Sequence, residues 1–583
     1  MLTKLQSLLF ERARPSFLRQ ILRLARPYWY CKQKRQVRIY TAALFALTLA
    51  QVALAVWTNY WNRALFDALE QRSMREFLLQ IGTFAAIFVL TMAVTAAHLQ
   101  VKRHLQMGWR QCLTEHLLGN WMAHGHHYQL AFTEGEHDNP DGRIAEDIRI
   151  ATETAMALGH TLVYSILILG SFIDILLAVS GTLSVPGTSV NVPGYMVLLA
   201  FAYAGAGTVL GLLLGRPLIK STNRLQTAEA NFRFGLARSR EHSESIALMH
   251  GESVERVHSS ERFHEVAWGW SKQTLAYTLI VSFSTGYGAL LPVFPIMIAA
   301  PQYIAGIMSL GVLMQAAQAF QKLTSALSWP VDNLADLAKC RASADRVLSL
   351  QDDIAALQHQ SKLLMHRRIS ISYSGKQELV MTNVSIANPD GRVLIENFNE
   401  TIKRGERVVI GGDPAVAISV FRVVAGLWPW GRGDVQLPAG QNIAFMPQRP
   451  FIPDGTLREV LCYPASEQAF DVRALHHALE CAGTSWLAPR LNDTDAWDRI
   501  LPLRVQQRLA FARLFLQRPA WIFIEEATDA LDKKGEECMM EMLLRELPNS
   551  ALLTISFHSG LERFHHRKII LNRVNDDKCL VDF

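Results

Sequence analysis

Residues 405–428, GERVVIGGDPAVAISVFRVVAGLW, have the frame of a phosphate-binding loop. An apolar strand from Arg407 to Ile410 runs into Gly411 and Gly412, and a helix-like run from Ser419 to Leu427 follows. In a loop of the form G-x-x-x-x-G-K-[ST], the second Gly lets backbone N–H groups close around phosphates. The Lys then reaches the β- and γ-oxygens, and the hydroxyl holds Mg²⁺. Laid from Gly411, these three places read Val416, Ala417 and Ile418; laid from Gly412, they read Ala417, Ile418 and Ser419, with a hydroxyl restored and no Lys. The stretch Gly411, Gly412, Asp413, Pro414, Ala415, Val416, Ala417, Ile418 and Ser419 is therefore a candidate nucleotide site with degraded chemistry. Pro414 removes one more N–H donor.

Further along, Gln448 follows an apolar strand in a Pro-rich segment (442–464, NIAFMPQRPFIPDGTLREVLCYP). Residues 499–513, RILPLRVQQRLAFAR, form a turn leading into a helix, and WIFIEEATDALD (521–532) reads as a buried strand ending in Glu525 and Glu526. His558 follows another apolar strand, ALLTISF. The elements needed to position these groups are strands at 408–410, 443–446, 521–525 and 551–557, the last three or all four side by side.

The chain has 583 residues, 50% of them hydrophobic and only 19% charged, with a mean hydropathy of +0.11. That balance points to a membrane portion. Apolar runs near the roughly 20 residues needed to cross a bilayer occur at about 39–61, 77–99, 158–180 and 194–214. Two more, near 276–299 and 305–328, are interrupted by Pro, Gly, Gln and Ser, making six spans in a domain of residues 39–350. The loops 100–157 and 215–275 are long and rich in Lys and Arg, which places both termini on the cytoplasmic side. They read as helical extensions of the spans. Residues 1–38 carry many Arg and Lys and read as an interfacial helix on anionic lipid. A boundary falls near 350–366, and residues 366–583 form one α/β domain. The net charge of +6 comes without a basic stripe and interleaved aromatics, which argues against a nucleic-acid partner. Seven Cys without a C-x-x-C pair give no zinc or disulfide pattern.

The order of phosphate loop, Gln loop, signature, acidic strand, ALD loop and switch His resembles the nucleotide-binding domain of an ABC transporter. In the membrane half, DNPDGRIAED (138–147) and EANFRFGLARSREHSESIAL (229–248) with Gly251-Glu252 resemble the SbmA/BacA-like group, related to peroxisomal acyl-CoA transporters. The resemblance implies a six-helix transmembrane bundle followed by a P-loop NTPase-like ABC domain, in a half-transporter that pairs as a homodimer or with a competent half-transporter. It implies ATP and Mg²⁺ as ligands, peptides or other hydrophilic or amphipathic solutes as cargo, and a bacterial inner-membrane location. Glu526 then stands at the general-base position, His558 at the switch position, and Glu525 where the family has the Mg²⁺-associated Asp. The signature L-S-x-G-[EQ]-Q-Q-R is replaced by Leu501, Pro502, Leu503, Arg504, Val505, Gln506, Gln507 and Arg508. The Ser and Gly that would hold a γ-phosphate are gone, leaving Arg504 and Gln506 as degenerate signature residues. Loss of turnover is the expectation, with two alternatives: a proton-gradient-driven permease retaining a structural ABC domain, or a non-transporting membrane regulator.

Asp174, inside the third span, is a candidate proton site because ionisable groups are expensive there. Asp67 and Glu70 read as solvated, and His124, His126 and His127 as surface residues rather than metal ligands, since neighbouring positions on a helix point apart. Trp428 and Trp430 read as packing for the helix end, and Pro389-Asp390-Gly391-Arg392 resembles the family's turn near the adenine.

Overall fold

The computed structural model describes residues 17–30, 34–132, 139–180, 182–184, 191–363, 369–388, 392–556 and 559–574. His558 and Pro389–Gly391 lie outside the described residues, as do residues 1–16 of the basic N-terminal segment. The chain divides into two units, one of residues 1–118 and 139–351, the other of 119–138 and 352–583.

The first unit is helical. Its elements are α1 (Phe17–Tyr30), α2 (Lys34–Glu70), α3 (Met74–Met122), α4 (Ile148–Ser180), α5 (Tyr195–Glu241), α6 (Glu252–Ile304), α7 (Leu310–Leu327) and α8 (Leu334–Leu363). The helices α3, α5 and α6 have 49, 47 and 53 residues. At 1.5 Å per residue they are roughly 70–80 Å long, more than twice the ~30 Å of a hydrocarbon core. The excess length is the expected extension beyond the membrane. The interruptions at Pro292, Pro295 and Pro301 do not end α6, which runs through all three.

Among the described residues, five helices are long and apolar enough to cross a membrane, against the six spans expected. The sixth stretch is a helix, α7, but its Gln315, Gln318, Gln321 and Lys322 lower its hydropathy. Asn59 partners part of this polar set, while the buried Gln315 side chain finds no hydrogen-bond partner among the described residues. Gln315 is fully buried, and the Asn59 amide donates to the Gln315 carbonyl oxygen (3.1 Å) and to Gln318 Oε1 (2.9 Å). Ala316, Ala317 and Ala319, all buried, let neighbouring helices approach closely.

Asp67 and Glu70 are not merely solvated. Ser309 Oγ and the Gly311 N–H both donate to Asp67 Oδ1 (2.6 and 3.1 Å), and the Leu310 N–H donates to Glu70 Oε2 (2.9 Å). Two carboxylates from the end of α2 thus satisfy the orphan donors at the start of α7 and complement its dipole. Within the 138–147 motif, Asp147 is nearly buried and accepts from Arg346 Nε (2.7 Å) and Ser343 Oγ (2.9 Å), joining that segment to α8. Helix α1 has two faces. Leu24 and Tyr28 are buried, and the Leu24 carbonyl accepts from Trp109 Nε1 (3.1 Å), while Leu18, Leu22 and Tyr30 are exposed.

The second unit is α/β. Its elements are β1 (Ile369–Ser374), β2 (Glu378–Ala387), β3 (Val393–Lys403), β4 (Arg407–Gly412), α9 (Pro414–Val424), β5 (Gly431–Pro438), β6 (Ile443–Met446), α10 (Leu457–Cys462), α11 (Val472–Cys481), α12 (Leu503–Gln517), β7 (Trp521–Glu525), α13 (Lys533–Glu546), β8 (Ala551–Ile555) and β9 (Arg567–Leu571). A parallel five-stranded sheet has the order β9-β4-β8-β7-β6, so all four expected strands lie together. Residues 521–524 and 551–555 are buried throughout, as strands of a sheet covered on both faces require. A second sheet, β1-β5-β2-β3, pairs β1 and β5 in parallel and its other strands antiparallel.

Residues 119–132 pack as part of this unit. The Phe132 ring lies 5.3 Å from Trp428 and 5.8 Å from Trp430, whose rings are 4.8 Å apart. Trp428 is buried and donates from Nε1 to the Ala387 carbonyl (2.9 Å). His126 is buried, unlike the surface residue expected, and its Nδ1 lies 2.8 Å from the Asn120 carbonyl. That bond closes the tight turn at Gly125, whose φ of +72° favours glycine.

Candidate functional site

Parallel sheets of this type gather chemistry at the carboxyl ends of their strands. Here those ends carry the β4–α9 turn, Gln448 after β6, and Glu525 and Glu526 at the end of β7. Whether the turn can hold a phosphate depends on its N–H groups, each of which must have a partner. The Asp413 N–H donates to the Leu571 carbonyl (2.7 Å). Pro414 has none. Ala415 and Val416 both donate to the Asp413 side chain, to Oδ1 at 2.9 and 3.2 Å, and Ala417 donates to the Asp413 carbonyl (3.1 Å). Every donor from residue 413 to 417 is thus spent inside the protein. A helix start of this kind ordinarily attracts an anion; in α9 the anion is the chain's own carboxylate, acting as an N-cap before a Pro at the first helical position.

The remaining loop positions are equally closed. Val416 and Ala417 are fully buried in the apolar core with Val408, Ile410 and Phe523, leaving no outward place for a phosphate-binding side chain. Ser419, the hydroxyl offered by the shifted alignment, donates to the Ala415 carbonyl (2.7 Å) and is nearly buried. Gly412 has a φ of +105°, and a Cβ there would run into the backbone of Leu571. Its glycine thus serves the approach of β9. The residues present therefore do not fit Mg·ATP: no Lys, no free N–H from 413 to 417, and no free hydroxyl.

A second cluster is intact. Gln448 Nε2 donates to Asp529 Oδ2 (2.8 Å) and lies 3.5 Å from Glu526 Oε2. Gln507, fully buried, donates to the Gln448 carbonyl (3.1 Å) and accepts from the Ala530 N–H (3.1 Å). Glu526 sits at φ +44°, a left-handed conformation that a non-glycine residue holds only under constraint; its N–H donates to the Ile555 carbonyl (3.1 Å). Glu525 is half-buried, and desolvation raises its pKa against the opposing pull of Arg422. The signature positions part company: Gln506 donates to the Asp498 and Leu501 carbonyls (2.8 and 2.7 Å), whereas Pro502, Leu503 and Arg504 are exposed at the start of α12. Pro502 offers that helix no side-chain cap.

In the helical unit, Asp174 is exposed on α4 and makes no hydrogen bond or ion pair among the described residues. The polar interior lies elsewhere. A cavity of about 510 Å³ is lined by Gln51, Thr91, Thr95, His160, Gln318 and Lys322, with apolar and hydroxyl neighbours. The ring of His160 stands 4.2 Å from that of buried His98. Sequence reasoning missed this cavity because its residues come from four helices, each contributing two or three polar positions within an apolar run.

Membrane-length helices followed by an α/β domain in one polypeptide define a membrane protein with an attached α/β domain. Residues 24–300 match the ABC transporter transmembrane region 2 family model. The chain is 30% identical to the Inner membrane ABC transporter ATP-binding protein YddA of Escherichia coli, over 92% of this chain and 94% of that protein. It is 26% identical to the chloroplastic ABC transporter D family member 2 of Arabidopsis thaliana (94% and 85% covered) and 25% identical to the human Lysosomal cobalamin transporter ABCD4 (94% and 93%). The chain belongs to the ABC transporter family and is a membrane subunit related to its D-type and YddA members.

Proposed function

We propose that this chain is a dimer-forming half-transporter of hydrophilic or amphipathic solutes whose own sites hydrolyse ATP very slowly or not at all. The observation that carries the reading is the closed β4–α9 turn, where Asp413 takes the N–H groups a triphosphate would need. Phosphoryl transfer depends on positioning and charge neutralisation, and loss of a single oxyanion donor costs about 3–4 kcal/mol of transition-state stabilisation. Glu526 alone does not replace those contacts. The cavity beside His160, which mixes Gln51, Gln318 and Lys322 with apolar Leu54 and Ala55, supports a hydrophilic or amphipathic cargo class, to which the named cobalamin transporter adds an example. The segments at 138–147 and 229–248 support the SbmA/BacA-like placement and an inner-membrane location, and the Lys- and Arg-rich loops 100–157 and 215–275 support cytoplasmic termini.

In this reading transport is energised either by a competent partner half-transporter or by an ion gradient. The test is ATP turnover and Mg·ATP affinity of detergent-purified protein, with Glu526→Gln as the control. The expected result is no Glu526-dependent turnover; robust turnover lost in Glu526→Gln would overturn the reading. Solute uptake abolished by an uncoupler but unaffected by ATP depletion would assign the gradient, and co-purification of a second ABC chain would assign the partner.

A further inference from the structure

We propose that His477, Cys481 and Glu546 form a binding site for a zinc-class divalent cation on the α/β unit. His477 and Cys481 are four residues apart on α11, so both project from one side of that helix. Glu546 is the last residue of α13, and its carbonyl is held by Arg518 Nη2 (2.9 Å). The three donor atoms lie within 4.8 Å of one another. His477 Nε2 stands 3.4 Å from Glu546 Oε2 and 3.7 Å from Cys481 Sγ. Tetrahedral zinc with bonds of about 2.0–2.3 Å places neighbouring donors roughly 3.3–3.6 Å apart, so the site needs only small side-chain adjustments.

The donor set of one thiolate, one imidazole and one carboxylate suits zinc over the hard oxygen-seeking cations. A surface His–carboxylate pair would account for two of the groups, but not for a thiol that is only 5% exposed turned toward the same point. The Glu546 side chain is 18% exposed and that of His477 55%, which gives the site a sheltered floor and an open rim. The rim supplies an entry path and room for a water as fourth ligand. Glu546 Oε1 lies 3.9 Å from Arg545 Nε, leaving Oε2 for the metal. On loading, the Cys481 S–H bond gives way to a sulfur–metal bond, its proton passes to solvent, and His477 keeps one proton on Nδ1. Two negative ligands then balance the dication. Sequence spacing shows no zinc pattern because the ligands are split between two helices, with Glu546 65 residues beyond Cys481.

The filled site would tie the end of α11 to the end of α13, two helices that both pack on α12. The test uses full-length protein in detergent, stripped with a chelator and titrated with Co²⁺. One equivalent should give near-ultraviolet thiolate-to-cobalt absorption with intense tetrahedral visible bands, displaced by Zn²⁺. Cys481→Ser and His477→Ala should each abolish the thiolate band, Glu546→Gln should weaken binding at least tenfold, and Cys538→Ser, an exposed thiol elsewhere on α13, should change nothing. His477 is exposed, so its variant keeps the test valid even where Cys481→Ser unfolds. No thiolate band in the native protein, or a band persisting in Cys481→Ser, would overturn the proposal.

Discussion

The start of α9 and the cluster around Gln448 occupy the same edge of one sheet, yet their hydrogen bonds do opposite things. At α9 every donor from 413 to 417 turns inward, to a capping Asp, a neighbouring strand or the helix itself. At Gln448 the side chains still reach across segments, joining Asp529, Gln507 and Ala530. An anion grip needs open donors; a mechanical link needs closed ones. One sheet edge thus holds a closed helix start beside a side-chain link, and the link contributes to stability whether or not a nucleotide is present.

The largest expected effect comes from restoring a Lys to the closed side. Ala417→Lys puts an unpaired charge into a fully buried position and should destabilise the α/β unit by about 3 kcal/mol or more. Thermal unfolding in detergent measures it; a tolerated Lys that gains Mg·ATP binding would break the comparison outright. Next, Gln507→Ala leaves the Gln448 carbonyl and the Ala530 N–H unsatisfied, and should lose about 2 kcal/mol. An unchanged melting temperature would show that the retained cluster links nothing. Asp413→Ala removes the N-cap and should cost about 1 kcal/mol while freeing the Ala415 and Val416 N–H groups. Phosphate titration of that variant should then show weak binding absent from the native protein.

The smallest effect is a pH dependence. Burial raises the Glu525 pKa in the folded protein, so the folded state binds the proton more tightly than the unfolded one. Its penalty is absent below the unfolded pKa, grows as pH rises toward the folded value, and is complete above it. Glu525→Gln should therefore raise the melting temperature slightly at neutral pH and leave it unchanged in acid. An equal gain at both pH values would assign the effect to packing instead.

The parallel sheet was legible because strands covered on both faces read as unbroken apolar runs, as in 521–524 and 551–555. The missing Lys was legible for the same local reason. Asp413-Pro414 also carried a readable signal, a capping residue followed by Pro at the first helical position, which explains where the phosphate donors went. Partners distant in sequence were not legible. Asp67 and Glu70 look solvated until the start of α7, some 240 residues away, is set against them. Gln318 of α7 looks like an interruption until Asn59, some 260 residues away, supplies its partner.

The packing of Phe132 against the Trp428–Trp430 pair has a consequence for the chain path. The polypeptide passes from one unit to the other at 118/119, 138/139 and 351/352, so the second unit is built from two separate stretches of chain. A protease that cut once after Leu363 would sever the backbone without releasing either fragment, because an aromatic peg stays seated in its socket. The nicked halves should migrate together in mild detergent until denaturant pulls that peg free.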